Sequence, residues 1–227
     1  MTDPKIIVAI DTYDLQEANV ILDQLDSDLC KIKIGSVVFN SLGKSFLKEV
    51  SSRGFKIFLD LKLHDIPNTV HEAILGFHDC SIDMLTVHLS GGEEMLKRAK
   101  LAGTSINAKV IGVSILTSLE ESDTIALFGN KLDHQIKNLF EIAVKANLDG
   151  VVCSPHELEM SNKILNSDSI KITPGIRDIK VEDDQARTMS AKEAIEKGAT
   201  FLVIGRPITQ AQDISTALKT FSDSIEK

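Results

Sequence analysis

Residues 58–69 read Phe58-Leu59-Asp60-Leu61-Lys62-Leu63-His64-Asp65-Ile66-Pro67-Asn68-Thr69. Side chains of a strand alternate between its two faces, so Asp60 and Lys62 share one face and Leu59, Leu61 and Leu63 the other. In a closed barrel the leucines meet the surrounding helices, and the charges face the lumen near its mouth. Burying an aspartate and a lysine costs several kcal/mol per ion unless each compensates the other, and apolar substitutes are generally at least as stable. The pair is a weak structural device and points to chemistry.

The rest of the chain supplies the strands such a barrel needs. Short apolar runs recur at Lys5–Ile10, Lys31–Ile34, Phe55–Leu61, Met84–Val87, Lys109–Ser114, Gly150–Cys153, Ile170–Thr173 and Phe201–Ile204. Between most of them lie stretches of helical period, such as Leu15–Leu25, Gly92–Leu101, Asp133–Ala146 and Ala191–Lys197. Alternating strands and helices imply parallel βαβ units. We therefore expect a (β/α)8 TIM barrel, with residues 1–227 as one catalytic domain. A doubly wound open sheet shows the same alternation, but usually has fewer strands and often a G-x-G-x-x-G after the first. Here the first run meets Asp11-Thr12-Tyr13-Asp14. Gly54, Gly103, Gly150 and Gly198 stand where helices should end and the next strand begin. The longest irregular stretches, Thr117–Lys131 and Arg177–Thr188, both follow expected strands, where barrels concentrate function.

Composition narrows the class further. With 43% hydrophobic and 26% charged residues, the chain can bury a substantial core and stay in solution. A net charge of −8 gives no general attraction to nucleic acid or anionic membrane, although a few local donors can still hold a small anion. No run approaches a membrane span of about 18 apolar residues, and the N-terminus lacks a secretory pattern, so a cytoplasmic protein is expected. Cys30, Cys80 and Cys153 form no C-x-x-C pair or Cys/His cluster. They read as buried thiols, Cys153 near the site rim, with no disulfide framework or zinc site.

Alternation also brings other charges to the lumen. Ile7, Ala9 and Asp11 share a face of the first strand, and Lys31 and Lys33 one of the second. Asp11, Lys33, Asp60 and Lys62 can thus converge at the strand ends, while Asp65 either joins them or leaves the barrel. Alternating ammonium and carboxylate groups suit a reaction that develops carbanion character: a carboxylate departs as carbon dioxide, and Lys62 neutralises the electrons left behind and returns a proton. His64 has a titratable ring at the strand end, but the turn there can redirect it; His88 either lines the site or sits in the core.

Three further segments follow expected strands. Gly205-Arg206-Pro207-Ile208 combines close approach, a cation and a helix start, as barrel phosphate sites do. Thr173-Pro174-Gly175-Ile176-Arg177 leads through a turn into Asp183-Asp184-Gln185-Ala186-Arg187. The hydroxyls of Leu116-Thr117-Ser118 either cap a helix or recognise an amide-like base edge. Val152-Cys153-Ser154-Pro155-His156-Glu157 reads mainly as barrel-end architecture.

The run from Asp60 to Thr69 resembles the D-x-K-x-x-D-I-P-N-T signature of orotidine 5′-monophosphate decarboxylases. The shorter D-x-K-x-x-D is shared with sugar-phosphate enzymes, and the extension through Ile66, Pro67 and Thr69 is what singles out the decarboxylases. T-P-G-I-R, D-D-Q-x-R and G-R-P-I resemble further family segments, so the resemblance runs nearly the length of the chain in family order and fits the free-standing form.

The resemblance implies conversion of orotidine 5′-monophosphate to uridine 5′-monophosphate, the last step of de novo pyrimidine synthesis, without cofactor or metal. It assigns the catalytic array to Lys33, Asp60, Lys62 and Asp65, with Lys62 as proton donor and Asp60 beside the departing carboxylate. It gives ribose contacts to Asp11 and Lys33, phosphate contacts to Arg177, Gln185, Gly205 and Arg206, and a base contact to Thr117 ahead of Ser118. The segment around Gln185 would close as a lid. A homodimer is implied, with Asp65 and Thr69 reaching the neighbouring subunit's site; otherwise Thr69 is a helix-start hydroxyl. The alternatives are a magnesium-dependent sugar-phosphate lyase and a catalytically silent nucleotide-binding barrel.

Overall fold

The computed structural model describes residues 3–177 and 189–226. Its elements in chain order are β1 (Ile6–Ile10), α1 (Leu15–Leu22), β2 (Cys30–Gly35), α2 (Ser36–Ser52), β3 (Ile57–Leu63), α3 (Pro67–Leu75), β4 (Ile82–His88), α4 (Glu93–Ser105) and β5 (Lys109–Val113). They continue with α5 (Glu121–Phe128), α6 (Leu132–Lys145), β6 (Gly150–Val152), α7 (Leu158–Ile164), β7 (Ile170–Thr173), α8 (Ala191–Glu196), β8 (Phe201–Ile204), α9 (Arg206–Thr209) and α10 (Ile214–Glu226). The strands are parallel and close into a barrel in sequence order, β8 pairing β1 with Leu202 opposite Ile6. This is the (β/α)8 TIM barrel expected from the alternation. No helix among the described residues is long and apolar enough to cross a membrane.

Period-2 alternation divides the apolar residues into two cores. Ile7, Phe58, Met84, Ile111, Ile172 and Phe201 fill the lumen. Their neighbours Ile6, Val8, Leu59, Leu85, Val110 and Leu202 turn outward and join the helices' inner faces, Phe46 and Phe140 among them. Each such fully buried side chain contributes about 1.5–3 kcal/mol of transfer free energy. The leucines of the quoted stretch behave as expected: Leu59 is buried in the outer layer, and Leu61 and Leu63 pack against it.

At the end where the strands begin, Lys31 is fully buried in the lumen. Its ammonium donates to Asp3 at 2.9 Å and Asp83 at 2.7 Å and lies 4.7 Å from the centre of the Phe201 ring. Lys56 meets Asp3 at 2.6 Å, and Lys109 approaches Asp83 at 3.8 Å. Burial pushes the Asp3 carboxyl up, but the hydrogen bonds from Lys56 and Lys31 outweigh it and leave its pKa below the usual value.

Several local expectations need correction. Left-handed turns follow α2 and α8 at Gly54 (φ 88°) and Gly198 (φ 99°), as anticipated. After α4 and α6, however, that conformation falls to Asn107 (φ 59°) and Asn147 (φ 54°), residues whose short amides tolerate it. Gly103 lies inside α4, where a Cβ would come within 2.4 Å of Val110, and Gly150 opens β6, where one would meet the Ile170 carbonyl at 2.1 Å. Gly150 thus stands where the next strand begins, as read, but neither glycine ends a helix, and both answer to close packing. The stretch after β5 is not irregular throughout, because it contains α5, started by a capping box between Glu120 and Asp123.

The β3–β4 ladder is not regular. Leu59 pairs with Leu85 and Leu63 with Val87, so Asp60, Leu61 and Lys62 together face the single residue Thr86. Strand β3 bulges at the point where its charges emerge.

Candidate active site

A cavity of about 480 Å³ opens where the strands end. Asp11, Lys33, Asp60, Lys62, Thr117, Arg177, Gly205 and Arg206 all line it, brought together from six of the eight strand ends. Phe58 and Ala9 lie among its lining as well, and Pro174 and Gly175 edge it in the turn after β7. Gly175 has φ 77°, a conformation that favours glycine.

The charged groups form a short chain. Lys62 Nζ donates to Asp60 Oδ2 at 2.8 Å, Lys33 Nζ lies 3.7 Å from the same oxygen, and Lys33 reaches Asp11 Oδ1 at 3.5 Å. The side chain of Asp60 is 11% exposed and that of Lys62 35%. Burial pushes the Asp60 carboxyl up; the ammonium groups of Lys33 and Lys62, with hydrogen bonds from Lys62 and Thr86, outweigh it and hold its pKa below the ordinary value. The carboxylate is thus ionised between two cations, and Lys62 stands nearer the opening.

Lys62 occupies the left-handed region at φ 51°. For a residue with a Cβ this costs about 1–2 kcal/mol. The strain accompanies the bulge, and Thr86 fills the space the bulge opens. Its hydroxyl accepts from the Lys62 N–H at 2.8 Å and donates to Asp60 Oδ1 at 3.0 Å. Sequence reasoning passed over Thr86, although a hydroxyl alternating with Met84 on a lumen face was a visible signal.

At the opposite wall, β8 ends in Gly205 and the single turn α9, with Pro207 inside its start. A Cβ on Gly205 would meet Ala9 only at ordinary contact distance, so the protein's own packing does not demand glycine. The space it leaves faces the cavity. Gln210, just past α9, also lines the cavity and was not anticipated.

The remaining candidates lie elsewhere. Asp65 and Thr69 are exposed and do not line this cavity; the Asp65 carboxylate accepts from the Ile66 N–H at 2.6 Å. No side chain caps α3, so Thr69 does not act as its helix-start hydroxyl. Thr117 lines the cavity and Ser118 does not. The expected Gln185 contact, and the lid around it, fall outside the described residues; on either side of that segment, Ile176 bridges to Met189, and the Arg177 N–H donates to the Met189 carbonyl at 3.0 Å. His64 and His88 also stand outside the lining, their rings 5.4 Å apart. Burial, then His64 and Lys62, lower the His88 pKa against the opposing effect of Asp60.

The segment after β6 is architectural, as read. The buried Glu157 carboxylate accepts from the Ser154 hydroxyl at 2.7 Å and N–H at 3.2 Å, tying down the turn beside the site. Cys153 faces the outer core and not the cavity, and burial raises its thiol to about 12.

Known proteins resemble this chain over nearly its whole length. The family described as orotidine 5′-phosphate decarboxylase / HUMPS matches residues 4–221. The orotidine 5′-phosphate decarboxylase of Actinobacillus succinogenes is 43% identical, the match covering 98% of each chain. That of Actinobacillus pleuropneumoniae is 44% identical, over 98% of this chain and 99% of the relative. The crystal structure of orotidine 5′-phosphate decarboxylase from Lactobacillus acidophilus superposes with a TM-score of 0.87 at 32% identity, covering 99% of this chain and all of that one. With a closed barrel, a charged array at the strand ends and these similarities over nearly its whole length, the chain belongs to the orotidine 5′-phosphate decarboxylase / HUMPS family and is an enzyme of the carboxy-lyase class.

Proposed function

We propose that this enzyme converts orotidine 5′-monophosphate to uridine 5′-monophosphate and carbon dioxide, with Lys62 as the proton donor to C6. The observation that carries the assignment is the placing of Asp60 between the ammonium groups of Lys62, at 2.8 Å, and Lys33, at 3.7 Å, within an open cavity. Breaking the bond between C6 and the carboxylate leaves its electron pair on C6. The Lys62 ammonium neutralises that charge and transfers a proton to it, becoming an amine that regains its proton from solvent. Asp60 stands where the carboxylate departs, and the fixed charges favour the transition state without reorganising.

The ligand's other groups extend across the cavity. In this reading Asp11 and Lys33, which line the cavity, meet the ribose hydroxyls, Thr117 the base, and Arg177, Gly205 and Arg206 the phosphate; the contact assigned to Gln185 falls outside the described residues. Phosphate is remote from C6, so its binding energy is available for positioning the ring and excluding water. Asp65 and Thr69 belong, in this reading, to the site of a second subunit in a homodimer; their exposure, with Ile66 67% exposed between them, supports this. We further propose one catalytic domain over residues 1–227, acting in the cytoplasm on a small anion and not on nucleic acid.

A magnesium-dependent sugar-phosphate reaction fits the donor set less well. A divalent cation at Asp60 would have to share its carboxylate with two ammonium groups. The test is ultraviolet conversion of orotidine 5′-monophosphate, with carbon dioxide release, by chelator-treated protein. Turnover that survives chelation is expected. No turnover by folded protein, or activity only with a sugar phosphate and added magnesium, would reject the assignment.

A further inference from the structure

We propose that Thr86 is a positioning residue for this reaction: its hydroxyl sets both the backbone of Lys62 and the carboxylate of Asp60, and so aims the ammonium group into the cavity. The inference rests on the functional reading above for its kinetic consequences, but its structural content stands apart from it.

The bulge of β3 removes Lys62 from the regular ladder, since Leu59 and Leu63 hold the two flanking pairs with β4. Its N–H would then lack a strand acceptor, and its φ of 51° is one that lysine rarely adopts. Thr86 supplies the acceptor at 2.8 Å. Because the amide can only donate, the hydroxyl proton must point elsewhere, and it points at Asp60 Oδ1, 3.0 Å away. Asp60 Oδ2 in turn accepts from Lys62 Nζ at 2.8 Å. The three contacts and the intervening chain form a closed loop: Lys62 amide, Thr86 hydroxyl, Asp60 carboxylate, Lys62 ammonium.

Thr86 has no exposed surface and does not line the cavity, so it acts through its neighbours and not on a substrate. Met84 and His88 alternate with it on the lumen side, and Met84 belongs to the apolar lumen cluster. A hydroxyl in that row is explained by the two groups it joins. The charged or titratable groups around Asp60 are Lys33 from β2, Lys62 from its own strand and His88 from β4, while Asp11 beyond β1 reaches it only through Lys33.

Thr86→Val keeps the shape and deletes both hydrogen bonds; Thr86→Ser keeps the hydroxyl. For the valine variant we expect kcat to fall by about 100-fold, the scale of a misplacement near 1 Å, with KM changed by less than about threefold. The acid limb of the kcat profile should move up, because a hydrogen bond that favours ionised Asp60 is gone. Thr86→Ser should restore kcat to within about tenfold of the parent and return the limb to its place. Loss of folded protein alone would lower apparent kcat at unchanged KM but would not move the limb, so kcat is referred to folded enzyme and the limb is the reading that separates the two.

A valine variant with kcat within about threefold of the parent, or a serine variant as impaired as valine, overturns the proposal. If Thr86→Val does not fold, by circular dichroism and thermal melting, Thr86→Ala is judged by the same criteria. If the parent enzyme itself does not turn over orotidine 5′-monophosphate, the functional reading has failed, and a crystal structure of the valine variant decides the rest. Displacement of the Asp60 carboxylate or release of Lys62 from its left-handed conformation upholds the positioning role, and unchanged geometry at both removes it.

Discussion

Strand β2 carries two lysines on the same lumen face, Lys31 near its start and Lys33 near its end, and the two ends of the barrel treat them differently. Lys31 is fully buried, held by Asp3 and Asp83 at 2.9 and 2.7 Å and capped by the Phe201 ring. Lys33 has no bond that short: its ammonium sits 3.5 Å from Asp11 and 3.7 Å from Asp60 and lines the cavity. At the lower end the charges satisfy one another and close the lumen. At the upper end Asp60 is shared between two ammonium groups that both line an open cavity. Burial of a lysine is therefore not itself a sign of chemistry; incomplete mutual satisfaction beside a cavity is.

That contrast can be broken from either end. The largest effect is expected at the top: Lys62→Ala should lower kcat by about 10⁴-fold, the upper range for a positioned acid, while its melting temperature stays near the parent's. Substantial residual turnover in a spectrophotometric assay would remove Lys62 as proton donor. Lys31→Met should do the reverse. Two carboxylates lose a buried partner, at a cost of about 3 kcal/mol or about 6–12 °C in melting temperature for a domain of this size, with kcat retained. A melting curve unchanged by that substitution would mean that Lys56 and Lys109 suffice to hold Asp3 and Asp83.

The smallest effect separates the carboxylates. The Asp60 pKa is depressed below its ordinary 3.8, so its contribution to stability is complete above that pH and is lost as pH falls through the folded-state value. The Asp3 pKa is lowered too, but its side chain is 40% exposed and solvent screens much of the gain. Asp60→Asn should therefore flatten the acid side of a melting-temperature profile more than Asp3→Asn does. Equal flattening would show that the two ends hold their carboxylates alike.

The upper array was legible in the sequence because two simple periodicities coincide. Alternation along β3 places Asp60 and Lys62 on the lumen face, and the even spacing of eight apolar runs closes the sheet around them. What alternation cannot report is the departure from it. No glycine or proline marks the bulge at Asp60–Lys62, since a lysine holds the left-handed position and a threonine on another strand supports it. The same limit explains Gly103 and Gly150, whose reason is a neighbour that a Cβ would strike, and Asn107 and Asn147, which took the turns glycine was expected to make. Helix α5 begins on Glu120, an uncommon cap, and its stretch looked irregular for that reason. Gln210 lines the cavity only because the single turn of α9 brings it back.

The seam between β1 and β8 also dictates when this enzyme comes into being during synthesis. Ile6, Ile7 and Val8 pair with Leu202, Val203 and Ile204, strands separated by most of the sequence. Ala9 and Gly205, neighbours across that seam, both line the cavity. A ribosome that has made β1 to β7 has produced two unpaired strand edges and lacks the cavity wall that Gly205 and Arg206 form, and such long-range closure is slow and exposed to aggregation. The nascent chain thus gains its binding cavity and loses its sticky edges in the same late event, when the eighth strand arrives.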